Sequence, residues 1–423
     1  MELILYTLRM IAYAIVEPTH VLMIFIIGGI FYFKNRKISA MQKITLGESI
    51  NSPLELTLSQ LSLGIIAGAI GSVILTSLGI VFNENSGIEF IFLLSILLLF
   101  IKKRYICFSY SGAVLGALSI IFNLLSKVTN TESYLNINIL TLMTFIGVMH
   151  LIEGVLIMID GSRGAIPVFS NKDNKIVGGY AYNRYWALPV AILIAMGTIA
   201  GSGDMTVAIE TPNWWPLINK KETLVMLSTT IIASIPFYGA LNYSSISFTK
   251  DKTKKPLYSG TGVLIYGISL IAISQLASFG LIGQIIVIIY APLAHEIMIK
   301  IQNNIESKGK YLYITDEEGI MVLEISKYSA IFKGGLRRGD KVLELNNDKP
   351  SSEIEILKML RSNIDKFTLK VKKISGEIVD LTIRPEKNSL GVLFVPNVVE
   401  ESKKIGIDKN EFKKVLEEMK RKH

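Results

Sequence analysis

Apolar runs of about 20 residues, long enough to cross a bilayer, recur through the first three hundred positions. A chain with that many can bury them only in lipid or against one another. Nine candidate crossings are expected, roughly 11 to 33, 57 to 81, 88 to 101, 105 to 125, 138 to 160, 186 to 201, 223 to 242, 258 to 278 and 281 to 299. Only Phe279-Gly280 separates the last two, which are either a tight hairpin or one broken helix. With 50% hydrophobic residues, the composition is that of a membrane protein. The expected fold is a polytopic α-helical membrane bundle of eight to nine helices over residues 1–300, with a separate domain after it.

Lys and Arg favour the cytoplasmic side of membrane proteins. Lys34-Asn35-Arg36-Lys37, Lys102-Lys103-Arg104, the Arg163 to Arg184 loop and Lys250 to Lys255 share one side if the first segment runs outside to inside. That places the N-terminus outside and the C-terminal region in the cytoplasm of a multi-pass cell-membrane protein. The first segment lacks a signal-peptide cleavage pattern and reads as retained. These flanking clusters account for the net charge of +9 and do not call for nucleic acid. The single Cys107 excludes an internal disulfide and reads as a small packed side chain.

Ionisable residues at membrane depth are costly and raise a functional hypothesis. Glu17 and His20 flank Pro18, His150 and Glu153 lie one turn apart in the fifth crossing, and His295-Glu296 stand near the inner end of the last. Three readings compete: a metal site on facing helices, a proton or substrate path, or buried polar groups that fix helix register. The third is adopted, with no metal or cofactor assigned. Gly64 with Gly68, and Gly112 with Gly116, read as close helix contacts. Tyr185, Trp186, Trp214 and Trp215 read as interfacial aromatics.

Beyond the last crossing the pattern changes to strands and turns. Gly335-Leu336-Arg337-Arg338-Gly339-Asp340 reads as a turn in which Gly339 takes positive φ and Asp340 accepts backbone N–H groups, leading into Lys341 to Leu345. Phe367 to Val371 and Val379 to Ile383 read as a hairpin turning at Ser375-Gly376. Ser352 and Glu355 have capping-box spacing for a helix from Glu353 to Arg361. This turn and strand resemble the central signature of bacterial PDZ domains, and the fold implied is a small α+β PDZ domain over 309–397. The resemblance implies recognition of an added peptide strand between an edge strand and a helix. The expected peptide-binding residues are Gly319, Ile320, Met321, Val322, Leu323, Ile356, Met359 and Leu360. Asp316-Glu317-Glu318, where a carboxylate-binding loop would lie, disfavours a free C-terminus if its charges are bare. Ser389 to Pro396 either closes the sheet or fills the groove, and 398–423 reads as an amphipathic charged helix.

Site-2-type intramembrane metalloproteases also combine crossings with a PDZ domain, but they need His-Glu-x-x-His. Here His295-Glu296 is followed by Ile297-Met298-Ile299, and no Gly-x-Ser-x-Gly elbow is present, so an enzyme is not expected. The layout resembles the polytopic PDZ membrane proteins of Gram-positive bacteria that include the MinJ-like cell-division topological determinants. That resemblance implies a scaffold for cytoplasmic proteins, of the DivIVA and MinD kind, in division-site placement. The alternatives are a transporter or intramembrane sensor regulated by its PDZ domain, or a catalytically degenerate site-2-protease-like partner.

Overall fold

The computed structural model describes residues 2–131, 133, 135–172, 175–197, 211–218, 223–225, 230–362, 364–384 and 391–397. The expected helix at 398–423 lies outside them. Two compact units result: Met1–Met41, Asn51–Ile166 and Ala181–Gly309 form the first, and Gln42–Ile50, Pro167–Tyr180 and Lys310–His423 the second. The division falls near residue 309, and the second unit also takes two short segments from within the first three hundred residues.

In the first unit, α1 (Glu2–Val16) and α2 (Pro18–Leu46) meet at a 67° bend. Pro18 lacks an N–H to continue α1, and Glu17 accepts the His20 N–H at 3.0 Å, starting α2 afresh. Helix α3 (Pro53–Leu78) opens with Pro53 in the first turn and Ser52 Oγ accepting the Glu55 N–H at 3.1 Å. Then follow α4 (Phe90–Ile101), α5 (Phe108–Thr129), α6 (Ile139–Asp160), α7 (Lys254–Ser274) and α8 (Leu281–Lys308). Five described segments are long and apolar enough to cross a membrane: Pro53–Leu78, Phe108–Thr129, Ile139–Asp160, Lys254–Phe279 and Leu281–Lys308; the bent α1–α2 pair makes six. They mark the chain as a membrane protein.

Eight to nine helices were expected, and three runs account for the difference. Helix α4 has 12 residues, about 18 Å of helix against a hydrocarbon core of about 30 Å. The runs at 186–201 and 223–242, where described, are chiefly strand: β3 is Lys175–Gly197 and β4 is Thr230–Ser247. A short apolar run does not by itself distinguish a buried strand from a helix. Pro189 and Pro236 would each remove a hydrogen bond from a helix interior. Strand β3 pairs with β4 and, in parallel, with β1 (Val81–Asn83) through Val81↔Leu193, Phe82↔Ile194 and Asn83↔Ala195.

Helix α3 backs this sheet. A Cβ on Gly64 would stand 2.1 Å from Ala187 O, and one on Gly68 2.2 Å from Pro189 O. These two glycines therefore let a helix approach a strand, whereas Gly112 and Gly116 meet Ile146 and Ile139 on a neighbouring helix as expected. Ser72 Oγ accepts the Ala191 N–H at 2.9 Å, so the helix also satisfies a strand donor. The most buried span is α6, with 72% of its apolar window inside the protein. It runs antiparallel to α7 at near backbone contact, since a Cβ on Gly154 would stand 2.7 Å from Gly260 O and one on Gly147 3.0 Å from Gly267 O. Trp186 is fully buried, with its Nε1–H donated to Asp160 Oδ2 at 2.9 Å, and Trp215 Nε1–H goes to Thr76 O at 2.7 Å. Neither indole is exposed; each reaches an internal acceptor.

In the second unit β2 (Ile166–Lys172) and the start of β3 share a sheet, and β3 pairs with β5 (Tyr313–Ile314) at Val177↔Ile314 and Gly178↔Tyr313. A separate sheet has the order β10-β6-β7-β8-β9. Its strands are β6 (Ile320–Ile325), β7 (Lys341–Leu345), β8 (Phe367–Lys372), β9 (Ile378–Ile383) and β10 (Val392–Phe394). The short α9 (Ala330–Lys333) precedes the Gly335–Asp340 turn, and α10 is Glu353–Arg361. Gly339 has φ +84°, and Asp340 accepts the Arg337 N–H at 2.8 Å, as the turn reading requires. Val322, Val342, Ile356, Leu369 and Ile383 form one core here. The capping box differs: Ser352 makes no side-chain cap, and Glu355 instead accepts from the Ser351 N–H at 2.9 Å.

Candidate functional site

Within the first unit, four helices bring a thiol, two imidazoles and two phenols together. Cys107 is the residue before α5, whose first turn carries Ser109 and Tyr110; His150 comes from α6, Tyr266 from α7, and His295 with Glu296 from α8. Cys107 Sγ stands 3.0 Å from His150 Nε2 and 3.6 Å from His295 Nε2. The imidazole centroids are 5.7 Å apart, and the Tyr266 ring lies 5.0 Å from His150 and 5.4 Å from His295. Both histidines are buried.

The surrounding bonds fix which nitrogen carries the proton. His150 Nδ1 lies 2.8 Å from Ile146 O, an acceptor only, so Nδ1 is the protonated nitrogen and Nε2 turns a lone pair toward Cys107. The Tyr110 hydroxyl donates to Glu296 Oε1 at 2.7 Å, so its oxygen accepts from His295 Nδ1 at 3.2 Å. His295 Nε2 therefore also faces the thiol with a lone pair. Arg104 completes this chain by pairing with Glu296 at 3.1 Å. Tyr266 donates to Ala291 O at 2.8 Å, which leaves the Ser109 hydroxyl to donate to Tyr266 at 2.8 Å. Glu153 Oε2 stands 3.9 Å from His150 Nε2, at the rim of the cluster.

Of the intramembrane polar residues singled out by sequence, His150, Glu153, His295 and Glu296 meet at this cluster. Glu17 and His20 do not: their side chains pair at 3.2 Å around the α1–α2 break and cap a helix. Cys107 is the larger correction, since its thiol occupies the centre of the polar cluster and not a packing niche. Tyr110 and Tyr266 went unread because a tyrosine within an apolar run carries no motif.

The residues expected to bind peptide take a different position from the one foreseen. Strand β6 is not at the edge: β10 flanks it through Val392↔Ile325, Leu393↔Glu324 and Phe394↔Val322, and every β6 residue is buried. Gly319 is required by β7, because a Cβ there would stand 2.5 Å from Val342 O. Ile320, Met321, Val322 and Leu323 are buried sheet residues, Ile356 and Leu360 are core, and Met359 packs against that core half-buried. The acids before β6 are not bare either. Lys341 Nζ reaches Asp316 at 2.6 Å and Glu318 at 3.1 Å, and Lys372 also pairs with Glu318.

The edge position belongs to β10. The Ser326 N–H donates to Gly391 O at 2.7 Å and the Val395 N–H to Met321 O at 2.9 Å. By antiparallel alternation, Val392 and Phe394 turn their backbone groups away from β6. No protein-family profile matches the chain, and a search of curated proteins finds no match either.

Proposed function

We propose that this protein is a membrane-anchored adaptor whose C-terminal unit, a PDZ-type domain, captures an extended segment of a cytoplasmic protein in its peptide groove. The observation that carries this reading is the open cleft beside α10, lined by Leu345, Asp348, Pro350, Lys358 and Met359. Domains of this type hold a peptide between such a helix and the sheet. The positive-φ turn at Gly339, with Asp340 closing on the Arg337 N–H, supports the PDZ assignment of this sheet.

The cytoplasmic side rests on the basic clusters. These are Lys34 to Lys37, Lys102 to Arg104, Arg163 and Lys250 to Lys255, beside the apolar segments. The unit's role is binding, and no bond-breaking step is assigned to it.

Photocrosslinking in cells producing the full-length protein tests the reading. A photoreactive residue at Met359, on α10, is expected to capture partner segments. One at Ile374, exposed in the β8–β9 turn, is not. Equal capture at both, or none at Met359, would overturn it.

A further inference from the structure

Counting protons in the four-helix cluster leaves one too few. Both Nδ1 positions hold their protons on Ile146 O and Tyr110 O, so two Nε2 lone pairs converge on Cys107, which has a single S–H to give. Ser109 Oγ also lies 3.2 Å from His150 Nε2 and 3.4 Å from Cys107 Sγ, but its proton is committed to Tyr266, whose own goes to Ala291 O. A thiolate and two Nε2 lone pairs directed at one point form a ligand set of the kind that holds zinc.

The dimensions agree. Zn–S and Zn–N bonds of about 2.3 and 2.0–2.1 Å at tetrahedral angles separate sulfur from nitrogen by about 3.5 Å. The two separations here are 3.0 and 3.6 Å, and all three donor atoms lie within 4.8 Å of one another. Each imidazole already has the outer partner that metal-bound histidines require: a backbone carbonyl for His150, and the Tyr110–Glu296–Arg104 chain for His295.

We propose that Cys107, His150 and His295 bind one divalent zinc ion within the membrane unit, the fourth position going to Glu153 or a water. The ion ties α5, α6 and α8 together near the start of α5. Binding releases the Cys107 proton and leaves both Nδ1 protons in place. The proposal is independent of the adaptor reading, since it concerns another unit and its readouts involve no partner.

Cys107 is the sole cysteine, which gives a readout on the unaltered protein. Full-length protein purified in detergent without chelator is expected to carry one zinc per chain. Its thiol should react with a small maleimide at least tenfold faster after a strong chelator, with protection restored by added zinc. Replacement by cobalt is expected to give a thiolate-to-cobalt charge-transfer band that Cys107→Ser abolishes. Tyr110→Phe should keep the band while weakening zinc affinity roughly 10–100-fold, and Glu17→Gln should change nothing. If Cys107→Ser fails to fold, the chelator-dependent labelling of the unaltered chain still decides. Protein that is zinc-free as purified, takes up neither added zinc nor cobalt, and labels at one rate with and without chelator would overturn the proposal.

Discussion

Arg184 and Asp160 face each other with no solvent exposure on either side chain, joined by the Arg184 Nε–H to Asp160 Oδ2 at 3.0 Å. Arg163 reaches the other carboxylate oxygen at 3.0 Å, and Arg184 also donates to Ser59 Oγ at 2.8 Å. The network links α3, the end of α6 and strand β3. Asp160→Asn leaves Arg184 a buried charge without a carboxylate partner and is expected to cost about 3–5 kcal/mol, whereas Arg184→Met leaves Asp160 its pair with Arg163 and should cost less. The double change to apolar residues should cost less than Asp160→Asn alone. Thermal unfolding of the detergent-solubilised protein measures the difference.

The α6–α7 seam makes a second prediction. A side chain at Gly154 meets Leu264 N at 2.6 Å and Gly260 O at 2.7 Å, backbone that cannot step aside. Gly154→Val is expected to destabilise by about 1–3 kcal/mol or more, lowering the yield of monodisperse protein. Gly29→Ala, where nothing lies within 4 Å, should be silent in the same assay.

In the C-terminal sheet, Ile320→Lys is expected to unfold β6 and β7. Ile320 is 3% exposed and packs in the core, so a lysine there would bury an unpaired ammonium. Hydrogen exchange of the full-length chain should show lost protection over Ile320–Ile325 and Lys341–Leu345. The helices of the first unit should keep theirs.

Glu318 gives a pH dependence of defined sign. Its hydrogen bond from Lys372, then that from Lys341, hold the carboxyl below the ordinary glutamate range. The stabilisation is therefore complete above the ordinary value, about pH 4.3, and is lost as pH falls through the lower folded value. Sheet protection in Glu318→Gln should fall short of the parent at pH 7, and the two should converge under more acidic conditions.

Much of this was legible in the sequence, and the gaps have physical causes. Helices α3, α5 and α6 follow from apolar length. The Gly335–Asp340 turn and the β8–β9 hairpin follow from residues that permit few alternatives. Strand β3 was hidden because a strand buried on both faces loses the alternation that would betray it. His150, Glu153, His295 and Glu296 announced themselves as charges at membrane depth. Their union with Cys107 did not, since the thiol lies 43 and 188 residues from its two imidazoles and no local spacing encodes that distance. The edge role of β10 was obscured because Gly319 is equally suited to admitting a ligand and to admitting β7.

The contact between Gly64 and Ala187 O, and its neighbour between Gly68 and Pro189 O, constrains how the chain is made. Insertion machinery that sorts segments by hydropathy meets Trp186 to Gly197 as lipid-soluble, yet an isolated strand in hydrocarbon would leave a row of amides bare, at several kcal/mol each. Such a strand has to be received by a surface already waiting for it. The glycine-lined flank of α3 and the hydroxyl of Ser72 are synthesised more than a hundred residues earlier, which makes the first helices a template on which later segments are assembled.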